Sequence, residues 1–319
     1  MSTKYILIVH GEPFSIFSEV LGKYFIKKRK FKKKIIIIGN KQLLKKQLKK
    51  LKYNFPLNEI KNYLDSEINS INIININFSH KKIFSNISRK SNKYIEDCFK
   101  KSLDIIKSNN DFILINGPIS KKTFLNKKYS GITEYLSQKT NSRDEVMLIY
   151  NNKLSVTPLS THIPIKNVTR QVKKDRIVKN VINIDNFYKN ILKKESKVAV
   201  LGLNPHCETT DKFSEEDKII KPSINYLKKK GLNISGPFSA DTFFIKKNLS
   251  KYNVVLGMYH DQVLTPMKTL FNFDAINITL GLPFIRISPD HGPNSEMAGK
   301  NKSDPSSFFY AMEFAEKIR

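Results

Sequence analysis

Phe112-Ile113-Leu114-Ile115-Asn116-Gly117-Pro118 is a short run of large apolar residues that stops on a polar motif containing Gly and Pro. A run this short and this apolar reads as a buried strand whose carboxyl end opens into a turn. The same pattern recurs where Lys197–Leu201 leads into Asn204-Pro205-His206 and where Val254–Met258 leads into Tyr259-His260-Asp261. Further strands are expected at Tyr5–Val9, Lys34–Ile38, Ile71–Asn77, Val146–Tyr150, Leu154–Thr157 and Ala275–Thr279. Between them Ser91–Ser108, Thr133–Thr140, Ile184–Lys194, Asp217–Lys230 and Ser306–Lys317 carry helical periodicity, and Lys41–Asn69 reads as solvated helices. Alternation of this kind predicts an α/β fold on a largely parallel sheet, with ligands bound at the carboxyl ends of the strands.

Composition narrows the function classes. Lys and Arg number 56 against 28 Asp and Glu, a net charge of +28. The excess is mostly lysine scattered along the chain, as in Lys27-Lys28-Arg29-Lys30, and it accompanies an abundance of Asn and Ile. No zinc-finger spacing or aromatic-interleaved arginine patch is present, so nucleic acid is not the expected partner. A positive field still favours an anionic small substrate. No apolar run is long enough to span a bilayer, so no membrane association is expected. The apolar stretch Tyr5–Val9 leads into His10-Gly11-Glu12-Pro13 without a cleavage motif and reads as a first strand rather than a signal peptide. Two distant cysteines, Cys98 and Cys207, make no disulfide framework, which fits a cytoplasmic protein.

Three histidines, His162, His206 and His260, each follow a predicted strand. One such histidine alone is more often structural than functional. Three at strand ends of one sheet would converge on a common cleft, where neutral imidazoles suit a divalent ion. Asp241 and Asp261 are the carboxylates placed to orient a ligand or take a proton; the alternative for each is a helix cap or a surface charge. Lys268 and Arg286 suit an anion, Arg286 more so because it closes an apolar run and presents a planar fork. His291, in Asp290-His291-Gly292, serves either an anion or a turn. There is no Gly-x-Gly-x-x-Gly after the first strand and no phosphate-binding loop of the Walker type. The residues therefore point to a metal and anion site and leave the cofactor open.

The ordered motifs Asn116-Gly117-Pro118-Ile119-Ser120-Lys121, Thr133-Glu134-Tyr135-Leu136, Thr161-His162-Ile163-Pro164, Gly202-Leu203-Asn204-Pro205-His206, Ala240-Asp241-Thr242 and Met258-Tyr259-His260-Asp261-Gln262 carry a family resemblance. Asn277-Ile278-Thr279-Leu280-Gly281-Leu282-Pro283-Phe284-Ile285-Arg286, Asp290-His291-Gly292 and Ala298-Gly299 complete the series. Over nearly the whole chain they resemble the 4-hydroxythreonine-4-phosphate dehydrogenase (PdxA) family. The resemblance implies two α/β/α domains with a cleft between them, as in isocitrate and isopropylmalate dehydrogenases. The domains would be residues 1–128 with 292–319, and 129–291. It implies a homodimer whose active site is shared between subunits. One divalent ion (zinc, magnesium or cobalt) would be held by His162, His206 and His260, the last reaching across the dimer interface. Substrate contacts fall on Thr133, Lys268, Asn277 and Arg286, and Asp241, Asp261 and Lys268 become the candidate catalytic residues. NAD, or NADP, would accept a hydride from a small phosphorylated hydroxy acid, in the synthesis of pyridoxal 5′-phosphate (vitamin B6).

Three departures from the family pattern stand out. Ile132 occupies the place of a histidine that helps to bind substrate phosphate. Gly11-Glu12-Pro13-Phe14-Ser15-Ile16-Phe17-Ser18-Glu19 replaces a glycine-rich opening, and Cys207-Glu208-Thr209-Thr210-Asp211 replaces a glycine-rich loop. These keep alive a relative that oxidises threonate or erythronate 4-phosphate, and a homologue that binds without turning over.

Overall fold

The computed structural model describes residues 3–109, 111–126, 128–129, 131–210, 212–271, 275–289 and 292–318. Asp290 and His291, named above, lie outside them. The chain divides into two compact units, Met1–Thr140 with Pro283–Arg319, and Asn141–Leu282. The first unit therefore extends to 140 and resumes at 283, where the resemblance places limits of 128 and 292. One reason is packing: Tyr135, on helix Ile132–Lys139, sits edge-on to Phe99 and Phe124 of that unit at 5.5 and 5.3 Å.

In the first unit β1 (Tyr5–Val9), β2 (Lys34–Gly39), β3 (Asn58–Glu59), β4 (Ile71–Asn75) and β5 (Phe112–Asn116) are joined by a strand from late in the chain. Labelled by chain order, that strand is β12 (Ile285–Ser288), and the strand order is β3-β4-β2-β1-β5-β12, parallel throughout. In the second unit the strands are β6 (Val146–Tyr150), β7 (Ser155–Ser160), β8 (Val198–Leu201), β9 (Ile234–Phe238), β10 (Val254–Tyr259) and β11 (Ile276–Leu280). Their order is β11-β6-β7-β10-β8-β9, parallel except that β6 runs against both neighbours. The central strands are buried on both faces, as β1 and β5 are at every residue, which is why they read as unbroken apolar runs.

The structure adds β3, β9 and β12 to the strands expected from the sequence, and differs further in the segments between strands. Lys41–Asn69 is helical only over Lys41–Lys50, which buries Leu43, Leu44, Gln47 and Leu48; beyond it come a turn, β3 and a short 3-10 turn at Tyr63–Asp65. The helix expected over Ile184–Lys194 starts at Lys174 and stays regular to Phe187, because Ile177, Val181 and Ile184 already form its buried stripe. Helices Phe17–Lys27 and His260–Phe271 add to those expected from the sequence. Both begin in motifs whose polar or turn-forming residues masked the periodicity behind them.

Candidate active site

In the second unit four adjacent parallel strands, β7, β10, β8 and β9, end along one edge. His162 lies two residues beyond β7, and His260 opens the helix that directly follows β10. His206 sits in the 3-10 turn Pro205–Cys207 after β8, and Asp241 in the helical turn Ala240–Phe243 after β9. The topology thus brings three histidines and one aspartate to neighbouring strand ends, the usual location of ligand sites in such sheets. The rings of His162 and His260 have centroids 5.6 Å apart and are tilted by 41°. His260 therefore stands beside His162 of its own chain.

Asp261 Oδ1 lies 2.6 Å from His260 Nδ1. With that nitrogen donating to the carboxylate, Nε2 keeps its lone pair for a cation. Asp241 Oδ2 is 3.8 Å from His206 Nδ1, an ion-pair distance rather than a hydrogen bond. The Ser239 hydroxyl, 2.5 Å from Asp241 Oδ1, holds that exposed carboxyl below its ordinary range. Among the described residues no three His, Cys, Asp or Glu side chains already stand close enough together to hold an ion. As a donor set, the facing imidazoles of His162 and His260 suit a divalent cation, and His206 is one strand away. Cys207 is half-buried and Cys98 buried, and both are free thiols. The Cys207 Sγ packs against Gly202, where an added Cβ would come within 2.6 Å of it.

Lys268 and Asn277 are not delivered to that edge. Lys268 follows His260 by eight residues of helix, about 12 Å at 1.5 Å per residue. Asn277 pairs with Ile149, which pairs with Val156, so it is level with the start of β7 rather than with its end. Its Oδ1 is buried and accepts no hydrogen bond among the described residues.

The first unit holds the other two candidates together. Arg286, on β12 opposite Leu114 of β5, is 1% exposed. Its Nε donates to Asn116 Oδ1 at 2.8 Å and its Nη1 to Thr133 Oγ1 at 3.1 Å. Burial lowers its pKa to about 10, against the favourable field of Glu134, so it is charged at neutral pH. These two neutral acceptors fix the orientation of the buried guanidinium, a group suited to an anion. Ile132, half-buried, occupies the first position of the helix that carries Thr133. Asn116 carries a sequence signal of its own, an amide at the carboxyl end of a fully buried strand.

The departing segment after β1 is core. Phe14, Ile16 and Phe17 are buried, and Phe17 lies edge-on to His10 and to Phe308, with centroids 5.8 and 5.3 Å away. Gly11 adopts φ 75°, and a Cβ there would come within 2.7 Å of the Pro118 carbonyl, so this glycine is required where the loops after β1 and β5 interlock. Glu12 is fully buried, and burial raises its pKa to about 7 although Ser91 and the Phe14 backbone hydrogen-bond to it.

Residues 31–315 match the family described as pyridoxal phosphate biosynthetic protein PdxA. The chain is 36% identical to the 4-hydroxythreonine-4-phosphate dehydrogenase of Sulfurihydrogenibium sp. (strain YO3AOP1), over 97% of this chain and 96% of that one. It is 34% identical to the D-threonate 4-phosphate dehydrogenase of Pectobacterium atrosepticum, over 69% of each. The crystal structure of a 4-hydroxythreonine-4-phosphate dehydrogenase from Klebsiella pneumoniae superposes with a TM-score of 0.83 at 26% identity, covering 98% of both chains. The expectation of an α/β fold like that of isocitrate dehydrogenase holds. With its ordered motifs, its fold and these matches in agreement, the chain belongs to the PdxA family of dehydrogenases.

Proposed function

We propose that this dehydrogenase oxidises 4-phosphooxy-L-threonine at its 3-hydroxyl with NAD as hydride acceptor, on the route to pyridoxal 5′-phosphate. The hydride leaves C3, the hydroxyl proton goes to a nearby base, and the resulting β-keto acid loses CO₂ to give 3-amino-2-oxopropyl phosphate. The observation that carries this reading is Arg286, buried, charged and forked between Asn116 and Thr133. A buried guanidinium held in a fixed orientation by two neutral acceptors suits recognition of a phosphate or carboxylate. A divalent ion at His162, His206 and His260 would, when bound, lower the pKa of the substrate hydroxyl and orient it. Asp261 orients the His260 ring, and Asp241, kept ionised, is the proton acceptor exposed on that edge. Lys268 and Asn277 supply further substrate contacts. Their distance from the histidine edge within one chain supports a homodimer with a shared site.

The test is NADH formation with a panel of phosphorylated hydroxy acids, with and without added zinc, cobalt or magnesium, and with NADP in place of NAD. 4-Phosphooxy-L-threonine should give the highest kcat/KM, and chelation should abolish turnover. A second reading, a D-threonate or erythronate 4-phosphate dehydrogenase, is favoured by Ile132 and by the relative of that activity at 34% identity. A higher kcat/KM on either of those acids would put it first.

A further inference from the structure

Backbone pairing between β8 and β10 stops at Val200↔Leu256 among the described residues, before either histidine-bearing turn begins. One side chain bridges the gap. Gln262, third residue of helix His260–Phe271, turns back so that its Oε1 accepts the Met258 N–H at 2.7 Å, while its Nε2 donates to the Gly202 carbonyl at 2.8 Å. Met258 precedes His260 by two residues and Gly202 precedes His206 by four. On the other side Ser160, two residues before His162, donates its hydroxyl to the Met258 carbonyl at 2.8 Å. Ser160, Met258, Gln262 and Gly202 thus form one hydrogen-bonded series across the three strand ends that carry the histidines.

We propose that Gln262 is a positioning residue that sets the spacing between the His206 and His260 turns. A glutamine acting only as a helix cap would bind a backbone N–H at its own helix start. The second bond, to a carbonyl sixty residues earlier in the chain, has no capping role. Gly257 leaves room for the helix start that carries this amide: a Cβ there would come within 2.5 Å of Val263 Cγ1 and 3.0 Å of Gln262 Oε1. The His206 turn also needs external support, because His206 and Cys207 both adopt left-handed backbone, at φ 55° and 61°. Gln262 holds the turn at Gly202. Glu216, fully buried, holds it one residue later by accepting the Leu203 and Asn204 N–H groups at 2.8 and 2.9 Å. His206 is left exposed on a turn whose three entry residues, Gly202 to Asn204, are held by buried or half-buried side chains, which is what a ligand needs if it must meet its partners at a set distance.

The functional side of this inference rests on the proposed metal site, so its test has an arm that needs no metal. Protein labelled at histidine carbons is compared as wild type, Gln262→Met and Gln262→Glu. Gln262→Met loses both hydrogen bonds and should move the imidazole resonances of His206 and His260. Gln262→Glu keeps the acceptor for Met258 and loses the donor to Gly202, and should move His206 alone. His10 and His80, in the other unit, serve as internal controls. In the second arm Co²⁺ is titrated into chelator-treated protein, and both variants should bind it at least about tenfold more weakly than wild type. Unmoved His206 resonances in Gln262→Met, or wild-type Co²⁺ affinity in that variant, would overturn the proposal. Absence of Co²⁺ binding by the wild type would instead overturn the metal reading, and the resonances would still decide the role of Gln262.

Discussion

The two units present polar residues along parallel strands in opposite styles. In the first, Arg286 is fully buried and its fork is already engaged with Asn116 and Thr133. In the second, the side chains of His206 and Asp241 are 74% and 56% exposed and meet at only 3.8 Å. A buried charge must be partnered before any ligand arrives, or the fold bears its desolvation cost. An exposed imidazole carries no such cost, so its geometry depends on its backbone, which for His206 is held by Gln262 and Glu216. The first site should therefore couple function to stability, and the second should separate them.

The largest expected effect tests that separation. His162→Ala, His206→Ala and His260→Ala should each lower NADH formation about a thousandfold, some 4 kcal/mol, and remove bound metal by elemental analysis. Their melting temperatures without metal should stay within about 3 °C of wild type, since His162 and His206 are exposed and His260 is only half-buried. A large loss of stability in any of them would break the contrast. Arg286→Lys should fail on both counts. A single ammonium cannot reach Asn116 and Thr133 together, so a buried acceptor loses its donor. About 1–3 kcal/mol of stability and roughly a hundredfold in kcat/KM should go with it, by thermal unfolding and steady-state kinetics. Unchanged stability would show that the arginine is held less tightly than its contacts indicate.

Ile132→His sharpens the comparison from the ligand side. Restoring a donor to the phosphate should lower KM for 4-phosphooxy-L-threonine about ten- to a hundredfold with less change in kcat, because the phosphate is remote from C3. A KM that does not fall would mark a pocket rebuilt for another acid.

The smallest effect concerns Glu12, buried below the first unit's strand ends. Its pKa is raised to about 7 in the folded chain, so the folded state binds the proton more tightly than the unfolded one. Its stabilising contribution is present at pH 4 and is lost as pH rises through 7. Glu12→Gln, which mimics the neutral acid, should therefore be more stable than wild type by about 1–3 kcal/mol at pH 8 and equal to it near pH 4. His10, buried nearby in sequence with its pKa lowered to about 4, shifts stability in the opposite direction. The measurement is accordingly the difference between variant and wild type across pH, in which His10 cancels. A difference that does not grow between pH 5 and 8 would place the Glu12 proton elsewhere.

Much of this was legible in the chain itself. Strands such as β1 and β5 are apolar at nearly every position because both faces are covered, and no partner is needed to recognise that pattern. The strand-end positions of His162, His206 and His260 were legible for the same reason: each follows a strand that the sequence marks clearly. Local sequence could not supply what depends on register and on long-range side-chain partners. That Asn277 is level with Val156 follows from a pairing through β6. That Arg286 meets Asn116 follows from a strand joining its sheet 170 positions later in the chain. That Gln262 ties Gly202 to Met258 follows from two strands packed side by side. Periodicity reports which face of an element is covered; only the packed chain decides what covers it, because hydrogen-bond partners are chosen by distance in space and not along the sequence.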